Sequence, residues 1–553
     1  MRRTFVTALV LATLLGASGT ATAQGRILIY NNNLPGVGFN EATPAAPVGG
    51  NPGTTLGQQR TNVFLRAAAI WQDKLKPKSD IWVLAEFIPL APNVLGSAGA
   101  IQVWRDFPEA ELENTWYPVA LANQLAGEDL APCGTPVVAT CLDIVARFAT
   151  TFNFYMGYDN NEGAGQQDLL AVVLHELGHG LGVANFVNEI NGTLLANLPD
   201  VYSQYTLDVT TDQIWNQMTN PQRQASAINI RKVSWNGINV NKAVPGVLRA
   251  GEPSVLVLTA SPLQALAVGD ASFGAPLTAG GITGDVIVAL DAADAAGGPL
   301  ATDGCSPILN NISGKIALMD RGTCAFTVKV KHAQNAGALA VLIADNVLSL
   351  PAPGLGGADP TITITSVRIS LPDGNAIKAS LATAAVTVRM GLDMSVLAGT
   401  DRVRGLMMLA ALNPVALGSS ISHFEAVASP NQLMEPAINS DLTSSVDTPQ
   451  DLTTKLLTDI GWFSDKDGVP DGVDSCLGSD IRPTMVIGTC DSGVTNTVQP
   501  DGCTLSDVVA RCSASTRTKG DYVSCVAQTT DALKSAGRIT GAGQGMVQAC
   551  AAR

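Results

Sequence analysis

The stretch HELGHGLGVAN, residues 175–185, constrains the fold more than any other part of the sequence. His175 and His179 are four positions apart, so on an α-helix their side chains lie one turn above each other on the same face. Two imidazoles in that arrangement can bind one cation, and Glu176 beside the first of them can act as a base. The apolar positions over 166–180, followed by glycines that allow a turn, predict a helix with two ligands of a zinc site.

A catalytic zinc site commonly uses three protein ligands and keeps a fourth position for water. The chain has four histidines, so only His332 and His423 remain as further imidazole ligands. His332 lies on a predicted amphipathic helix, where a solvated position is expected. His423 lies in SSISHFEAVASPNQLMEP, eleven positions before Met434 (434 − 423) in a short proline-flanked turn. The alternative, a coincidental motif with packed or solvated histidines, is disfavoured because two of only four histidines form it.

HELGHGLG together with SHFEAVASPNQLMEP resembles the leishmanolysin group of metzincin metalloproteases, in which the third histidine lies far downstream and a Met-turn follows it at about this spacing. The resemblance implies that His423 is the third zinc ligand and that Met434 lies beneath the metal as an apolar floor. The 244 positions from His179 to His423 (423 − 179) suit an inserted domain whose ends lie close together. A gluzincin-like site, with Glu189 as a carboxylate ligand, stays open as the alternative.

From about residue 246 the chain changes to short β-like runs rich in glycine, alanine and valine. The segment GKIALMDRGTCAFTVKVKHAQNAGALAVLIADN predicts a βαβ unit with elements at 315–319, 325–336 and 338–344. It resembles the protease-associated (PA) domain, a noncatalytic module that in its family is thought to bind or gate substrates or to mediate contacts. We therefore expect an inserted α/β domain over 246–394.

The segment DKDGVPDGVDSC holds Asp465, Asp467, Asp471 and Asp474 on a predicted tight turn. Closely spaced carboxylates suit Ca²⁺, a hard cation that takes six to eight oxygen ligands. The segment resembles a single thrombospondin type 3 calcium repeat, and it departs from an EF-hand because no glutamate occupies the twelfth position of a loop begun at Asp465. The turn therefore predicts a calcium site, with a solvated acidic linker as the alternative.

The ten cysteines form three local groups: Cys133 with Cys141, Cys305 with Cys324, and six from Cys476 to Cys550. In an exported chain an even, locally grouped set favours disulfides over thiolate metal sites. Six cysteines allow fifteen pairings, so no pairing is predicted within the last group.

The first residues predict a signal peptide over 1–23, because Arg2 and Arg3 precede an apolar run and a small-residue cleavage site. No later apolar run approaches the roughly 18–20 residues of a membrane helix, so membrane insertion is not expected. The formal net charge of −14, without a lysine or arginine cluster, argues against a nucleic acid or an anionic membrane as partner. A secreted, periplasmic or cell-surface location after cleavage is expected from the signal.

We predict an α+β multidomain fold in which an inserted α/β PA domain splits a metzincin-like zinc protease domain, with a small disulfide-rich C-terminal module. The expected ranges are 1–23 for the signal, 24–245 and 395–462 for the protease halves, 246–394 for the insert and 463–553 for the acidic turn and module.

The resemblance implies an exported zinc endopeptidase that hydrolyses protein or peptide substrates with zinc-activated water, with Glu176 as the catalytic base. Two alternatives stay open: a different zinc hydrolase that acts on a non-peptide amide, and a noncatalytic exported binding or adhesion protein with a structural zinc site. The presence of Glu176 disfavours the second of these, because a purely structural site needs no base there.

Overall fold

The structure is a computed structural model that describes residues 24–134, 138, 141–163, 165–260, 262, 264–293, 298–439 and 441–553. The predicted signal peptide, residues 1–23, lies outside the described residues. The described helices are α1 (Leu56–Leu75), α2 (Val119–Ala126), α3 (Leu169–Leu181), α4 (Asn220–Ser226), α5 (Ile238–Val247), α6 (Phe326–Asn335), α7 (Leu371–Leu381), α8 (Thr453–Asp459), α9 (Leu505–Ser515), α10 (Lys519–Ser535) and α11 (Gly541–Ala552).

The strands of the same residues are β1 (Ile27–Asn31), β2 (Ile81–Ile88), β3 (Gly96–Ala100), β4 (Val103–Trp104), β5 (Tyr117–Pro118), β6 (Ile144–Ala149), β7 (Phe154–Tyr155), β8 (Gln167–Asp168), β9 (Thr206–Asp208), β10 (Gln213–Ile214), β11 (Val233–Trp235), β12 (Ala250–Val257), β13 (Gln264–Ala267), β14 (Gly269–Asp270), β15 (Ile282–Val288), β16 (Ile316–Asp320), β17 (Ala340–Ala344), β18 (Thr365–Ile369), β19 (Thr387–Leu397), β20 (Thr484–Ile487) and β21 (Cys490–Thr495).

The N-terminal half is built on a four-stranded sheet of order β1-β2-β6-β3, in which β3 alone runs antiparallel to its neighbour. Helices α1 and α3 pack against this sheet, and their apolar residues share one core with it. The Thr55 side chain caps α1 by accepting from the Gln58 backbone N–H. Strand β3 lies at the end of the strand order, directly beside α3.

Helix α3 carries the HExxH motif and is buried over its whole length. The Asp168 side chain caps its start by accepting from Leu170 N (2.7 Å) and Ala171 N (3.3 Å). It packs closely on the sheet, because a Cβ added at Gly180 would lie 2.4 Å from the Ile144 side chain. The predicted helix is therefore present, but it begins three positions later than position 166.

The segment TTDQIWNQMTNPQRQASAIN, residues 210–229, has a sequence typical of a helix that Pro221 should interrupt, but it is not one helix. It forms β10, a short 3₁₀ turn and then α4, which begins at Asn220 with Pro221 in its first turn. Proline is tolerated there because the first N–H groups of a helix have no partner within the helix. The proline therefore helps to start a helix rather than interrupting one.

The insert is an eight-stranded sheet of order β13-β12-β19-β15-β16-β17-β18-β14. Strands β16 and β17 pair in parallel and α6 connects them, so the predicted βαβ unit is present. The two ends of the insert meet, since Ala250 pairs with Leu397 and the Ala398 N–H donates to the Arg249 carbonyl at 2.9 Å. The fold is therefore a mixed α/β multidomain arrangement with an inserted domain.

The ten cysteines form five disulfides, and the predicted local grouping is correct. Helices α9–α11 and the hairpin β20–β21 form the C-terminal module, which has its own small apolar core. Within the described residues no helix is long and apolar enough to cross a membrane. The pairs are Cys133–Cys141, Cys305–Cys324, Cys476–Cys503, Cys490–Cys550 and Cys512–Cys525.

Candidate metal centre

His175, His179 and His423 meet at one point, although 244 positions separate the last two. Their Nε2 atoms form a triangle with edges of 3.1 Å (His179–His175), 3.1 Å (His179–His423) and 3.2 Å (His423–His175). Three nitrogens bound to zinc at about 2.0–2.1 Å in tetrahedral directions would stand about 3.3 Å apart. The triangle is therefore within a few tenths of an ångström of the size that a tetrahedral zinc needs.

Backbone carbonyls determine which nitrogen of two of these rings carries the proton. The Nδ1–H of His175 donates to the Leu433 carbonyl, and that of His179 to the Val183 carbonyl, each at 2.7 Å. A carbonyl can only accept, so the Nε2 atoms of both rings carry lone pairs and face each other without a proton between them. Such a contact between two acceptors is repulsive unless a cation lies among them, which is the arrangement of a metal site.

All three rings are buried, with exposed fractions of 7% for His175, 9% for His179 and 4% for His423. Burial lowers the pKa of each ring, and for His175 the neighbouring His179 adds to the effect and the pKa falls to about 3. The rings are therefore neutral, which is the form that binds a metal.

The Glu176 side chain lies against strand β3. A Cβ added at Gly96 would fall 2.9 Å from Glu176 Oε1, so only a glycine leaves room for this carboxylate. Burial raises the pKa of Glu176 to about 8, and a hydrogen bond from the Ala98 backbone N–H opposes that rise only in part. The carboxylate is thus held against β3, on the same helix as His175 and His179.

Met434 is fully buried beside α3, in contact with Gly178. A Cβ added at Gly178 would lie 2.7 Å from Met434 Sδ, so the helix and the turn approach as closely as a glycine allows. The Phe424 N–H donates to the Met434 carbonyl at 2.8 Å, which ties this turn to the residue after His423. Met434 therefore lies beside the helix that carries His175 and His179, and its role as the floor beneath a metal stays a prediction.

Asn185, at the end of the motif, joins the two halves of the site. Its backbone N–H and its side-chain Nδ2 both donate to Ser422 Oγ, at 3.0 and 2.9 Å, one residue before His423. Glu189, the alternative carboxylate ligand, instead accepts from Asn185 Nδ2 at 3.1 Å. The potential metal group at this site, among the described residues, consists of the three histidines without Glu189.

His332 lies far from this group, on α6 of the insert. It is half-buried rather than fully solvated, because its Nδ1–H donates to the Gly304 carbonyl at 2.9 Å. The expectation of a solvated helix position is therefore only partly correct. The residue has a local structural partner and is not a metal ligand in the described structure.

The acidic turn is only partly gathered into one group. Carboxylate oxygens of Asp465, Asp467 and Asp474 all lie within 4.8 Å of one another. Asp471 is not a member of that group, although it is fully buried. Burial, followed by the charge of Glu111, raises its pKa to about 9, so Asp471 lies near a glutamate that the sequence did not single out.

Sequence reasoning missed the carbonyls of Leu433 and Val183 and the link between Asn185 and Ser422. Every residue has a carbonyl, so nothing in the sequence distinguishes the two that orient the rings. Asn185 could have been noticed, because asparagine at a helix exit commonly bonds nearby backbone, but its distant partner Ser422 has no local signal.

Comparison with known protein families finds a match within the insert. The PA domain model matches residues 282–377. The chain carries a PA domain. The match lies within the eight-stranded sheet and includes the βαβ unit, so the predicted resemblance is confirmed for this part of the chain.

Three curated relatives share short segments with this chain. Signal peptide peptidase-like 3 of Arabidopsis thaliana is 32% identical over 161 residues, 29% of this chain and 29% of that protein. Vacuolar-sorting receptor 7 of the same plant is 36% identical over 121 residues, which is 20% and 18% of the two chains. Probable leucine aminopeptidase 2 of Aspergillus fumigatus is 35% identical over 88 residues, 16% and 18%. The chain thus spans less than a third of the length of these relatives.

Among solved structures, BSAP, a zinc aminopeptidase from Bacillus subtilis, is 23% identical and covers 28% of this chain and 36% of that chain, with a TM-score of 0.19. A TM-score this low does not establish a shared overall fold. These matches do not support the metzincin resemblance of the histidine-bearing half, which therefore stays a proposal.

Proposed function

We propose that the chain is an exported zinc-dependent endopeptidase of the leishmanolysin-like metzincin type. The observation that carries the proposal is the triangle of Nε2 atoms from His175, His179 and His423, with the Glu176 carboxylate on the same helix. Zinc bound there supplies a Lewis acid that makes water a nucleophile near neutral pH and polarises a carbonyl. The metal-binding, catalytic and Met-turn roles assigned to these residues and to Met434 are part of this proposal.

The protein's own part in the reaction is proton transfer by Glu176. Its carboxylate takes the proton of the attacking water and then gives it to the nitrogen of the departing amine. Both transfers need a carboxylate held in one position, and Gly96 and the Ala98 N–H restrict Glu176 in this way. The carbonyls behind His175 and His179 keep those rings in the tautomer that binds the metal through Nε2.

The position of β3 supports cleavage within a chain rather than at its end. In the described sheet β3 pairs with β6 on one side and has no strand on the other, and Glu176 lies against it. An extended peptide can pair with such an edge and continue past the site in both directions. An enzyme that recognises a free amino terminus would instead need a feature that blocks the path of the peptide at one end of β3.

Five disulfides support an oxidising compartment, in agreement with the predicted signal peptide. The predicted domain boundaries stay part of the proposal. The Ca²⁺ expected at the acidic turn is a separate proposal, on which the peptidase proposal does not depend.

A noncatalytic binding protein is the second candidate, favoured by one observation. The segment shared with vacuolar-sorting receptor 7 shows that part of this chain resembles a protein named as a receptor. The two candidates differ in what Glu176 does, since a structural zinc site makes no use of a base.

The test uses the mature chain, Glu176→Gln and, as a control, His332→Gln in the insert. Each is assayed for zinc content and for hydrolysis of casein, an N-terminally blocked peptide and an unblocked aminoacyl anilide. We expect wild type and His332→Gln to cleave casein and the blocked peptide. We expect Glu176→Gln to keep zinc but to lose activity by about 10²–10⁴-fold, the usual contribution of a general base.

Release of the aminoacyl anilide alone would overturn the endopeptidase proposal in favour of an aminopeptidase. Zinc in all three proteins with no hydrolysis of any substrate would favour the binding protein. Failure of wild type to retain zinc would contradict both.

A further inference from the structure

Two loops that are far apart in the sequence bring their carboxylates together at the base of the C-terminal module. Glu111 lies in the loop between β4 and β5, and its carboxylate accepts from the Asp471 backbone N–H of the acidic turn. Lys466 Nζ lies 3.3 Å from Glu109 Oε2, which joins the same two loops a second time. The N-terminal half and the acidic turn are therefore in direct contact.

Several carboxylate oxygens at this contact are buried without a hydrogen-bond partner. Asp471 and Asp474 are fully buried, with exposed fractions of 0%. Asp474 Oδ1 accepts from the Cys476 N–H at 2.6 Å and Asp467 Oδ1 from the Val469 N–H at 2.8 Å, so one oxygen of each is used. The buried carboxylate oxygens without a hydrogen-bond partner are Glu111 Oε1, Asp467 Oδ2, Asp471 Oδ1, Asp471 Oδ2 and Asp474 Oδ2.

In the part of the chain that the structure describes, no lysine or arginine forms an ion pair with this group, although the more distant charges of Lys242 and Lys78 act on Asp474 and Asp471. The nearest ion pair, Lys466 with Glu109, leaves Glu111 and the four aspartates without a basic nitrogen within 4.0 Å. Burying unpaired carboxylates costs several kcal/mol each in a protein interior. Burial and mutual repulsion accordingly raise the pKa of Glu111 to about 7 and that of Asp474 to about 6.

We propose that one Ca²⁺ binds Asp465, Asp467 and Asp474, whose oxygens lie within 4.8 Å of one another, together with Asp471 and Glu111, which lie outside that group in this structure, and so fastens the C-terminal module to the N-terminal half of the molecule. Ca²⁺ takes six to eight oxygens in flexible geometry, which suits several carboxylates from two loops. Mg²⁺ demands near-octahedral geometry and retains water, and zinc prefers nitrogen and sulfur, so neither suits this all-carboxylate group as well.

The site lies where the module begins. The disulfide Cys476–Cys503 follows the turn directly, and a Cβ added at Gly502 would lie 1.8 Å from Asp474 Oδ1. Asp474 is thus held between the acidic turn and the C-terminal module, whereas Glu111 belongs to the N-terminal half of the molecule. A cation bound to both therefore restrains the module against the N-terminal half, independently of the zinc site.

The test titrates CaCl₂ and MgCl₂ into the full mature chain, freed of calcium and supplied with one equivalent of zinc, and follows binding heat and melting temperature. We expect one Ca²⁺ per chain, a rise in melting temperature with CaCl₂, and little response to MgCl₂. Glu111→Gln should weaken Ca²⁺ binding at least about tenfold, whereas Glu113→Gln, an exposed neighbour in the same loop, should bind as wild type does.

A second readout separates a ligand from a merely structural glutamate. Without calcium, Glu111→Gln should melt no lower than wild type, because it removes one of several repelling charges. Calcium should also slow limited proteolysis at the acidic turn in wild type and not in Glu111→Gln. If Glu111→Gln does not fold, Glu111→Asp, which withdraws the same carboxylate by one methylene, provides the comparison.

Two results would overturn the proposal. One is the absence of binding heat and of any melting shift up to about 10 mM Ca²⁺, above the range of weak extracellular sites. The other is wild-type Ca²⁺ affinity in Glu111→Gln, which would remove the link between the two halves. Zinc content measured in every sample keeps these outcomes distinct from failure of the zinc site.

Discussion

Gly178→Ala tests whether the contact between α3 and Met434 supports the metal centre. The added Cβ would lie 2.7 Å from Met434 Sδ and 3.3 Å from its Cε, and Met434 is fully buried. The Met434 side chain must therefore move, and because it is fully buried we expect the movement to press on its turn, which carries the Leu433 carbonyl that accepts from His175 Nδ1. A displacement of that carbonyl disturbs the orientation of a metal ligand.

Two opposing effects determine the size of the change. Alanine is favoured over glycine inside a helix by about 0.5–1 kcal/mol, whereas one extra methyl in a packed core costs about 1–3 kcal/mol. Loss of the group that orients a histidine ligand typically weakens metal binding about 10–100-fold, or about 1.4–2.8 kcal/mol. The net cost, about 0–2.5 kcal/mol, overlaps the range for a lost orienting group, so overpacking at its upper end is large enough to account for a loss of zinc affinity of that size.

The assay is competition for zinc against a chromophoric chelator at constant pH. Gly545→Ala is the matched control, because Gly545 lies inside α11 and an added Cβ there meets nothing within 4 Å. We expect Gly178→Ala to bind zinc about 10–100-fold more weakly and Gly545→Ala to bind it as wild type does. Equal zinc affinity in Gly178→Ala and wild type would refute the reasoning.

Asn185→Ala and Ser422→Ala should each weaken zinc binding, because each removes hydrogen bonding between Asn185 and Ser422. The double variant should lose no more zinc affinity than the weaker-binding single variant; additive losses in the same competition assay would contradict this. Burial raises the pKa of Asp143 to about 7, so the folded state binds the carboxyl proton more tightly than the unfolded state does. The resulting contribution to the free energy of unfolding is fully present below about pH 4 and is lost as the pH rises through 7. The melting temperature of Asp143→Asn, relative to wild type, should therefore be higher at pH 8 than at pH 5, and an equal difference at both pH values would be the opposing result.

The local parts of the site were predictable because they depend on residues only a few positions apart in the sequence. A four-residue separation determines that His175 and His179 share one helix face, whatever the rest of the chain does. The βαβ unit of the insert was predictable for a similar reason, since the change in hydrophobic period from strand to helix is local. His423 could be proposed only through a family resemblance, because no spacing rule connects it to the helix.

Other parts depend on contacts between distant residues, which one sequence does not reveal. The sequence of 210–229 favours a helix, but Trp215 is a fully buried core residue in a short 3₁₀ turn before Pro221, so packing against distant residues determines the local structure there. Glu111 is a single glutamate in a loop, and its significance appears only when the acidic turn lies against it. The three pairings in the C-terminal module likewise depend on how its helices pack.

The position of the insert connects folding of the chain to formation of the metal centre. His423 follows the insert, so it can join His175 and His179 only if the chain returns to the place where it left. Pairing of Ala250 with Leu397 achieves this return, and the returning chain then reaches His423, whose carbonyl accepts from the Ala410 N–H at 2.9 Å. The insert therefore returns the chain to the point from which His423 is reached, so we expect unfolding of the insert to displace this proposed third ligand from the helix that carries His175 and His179.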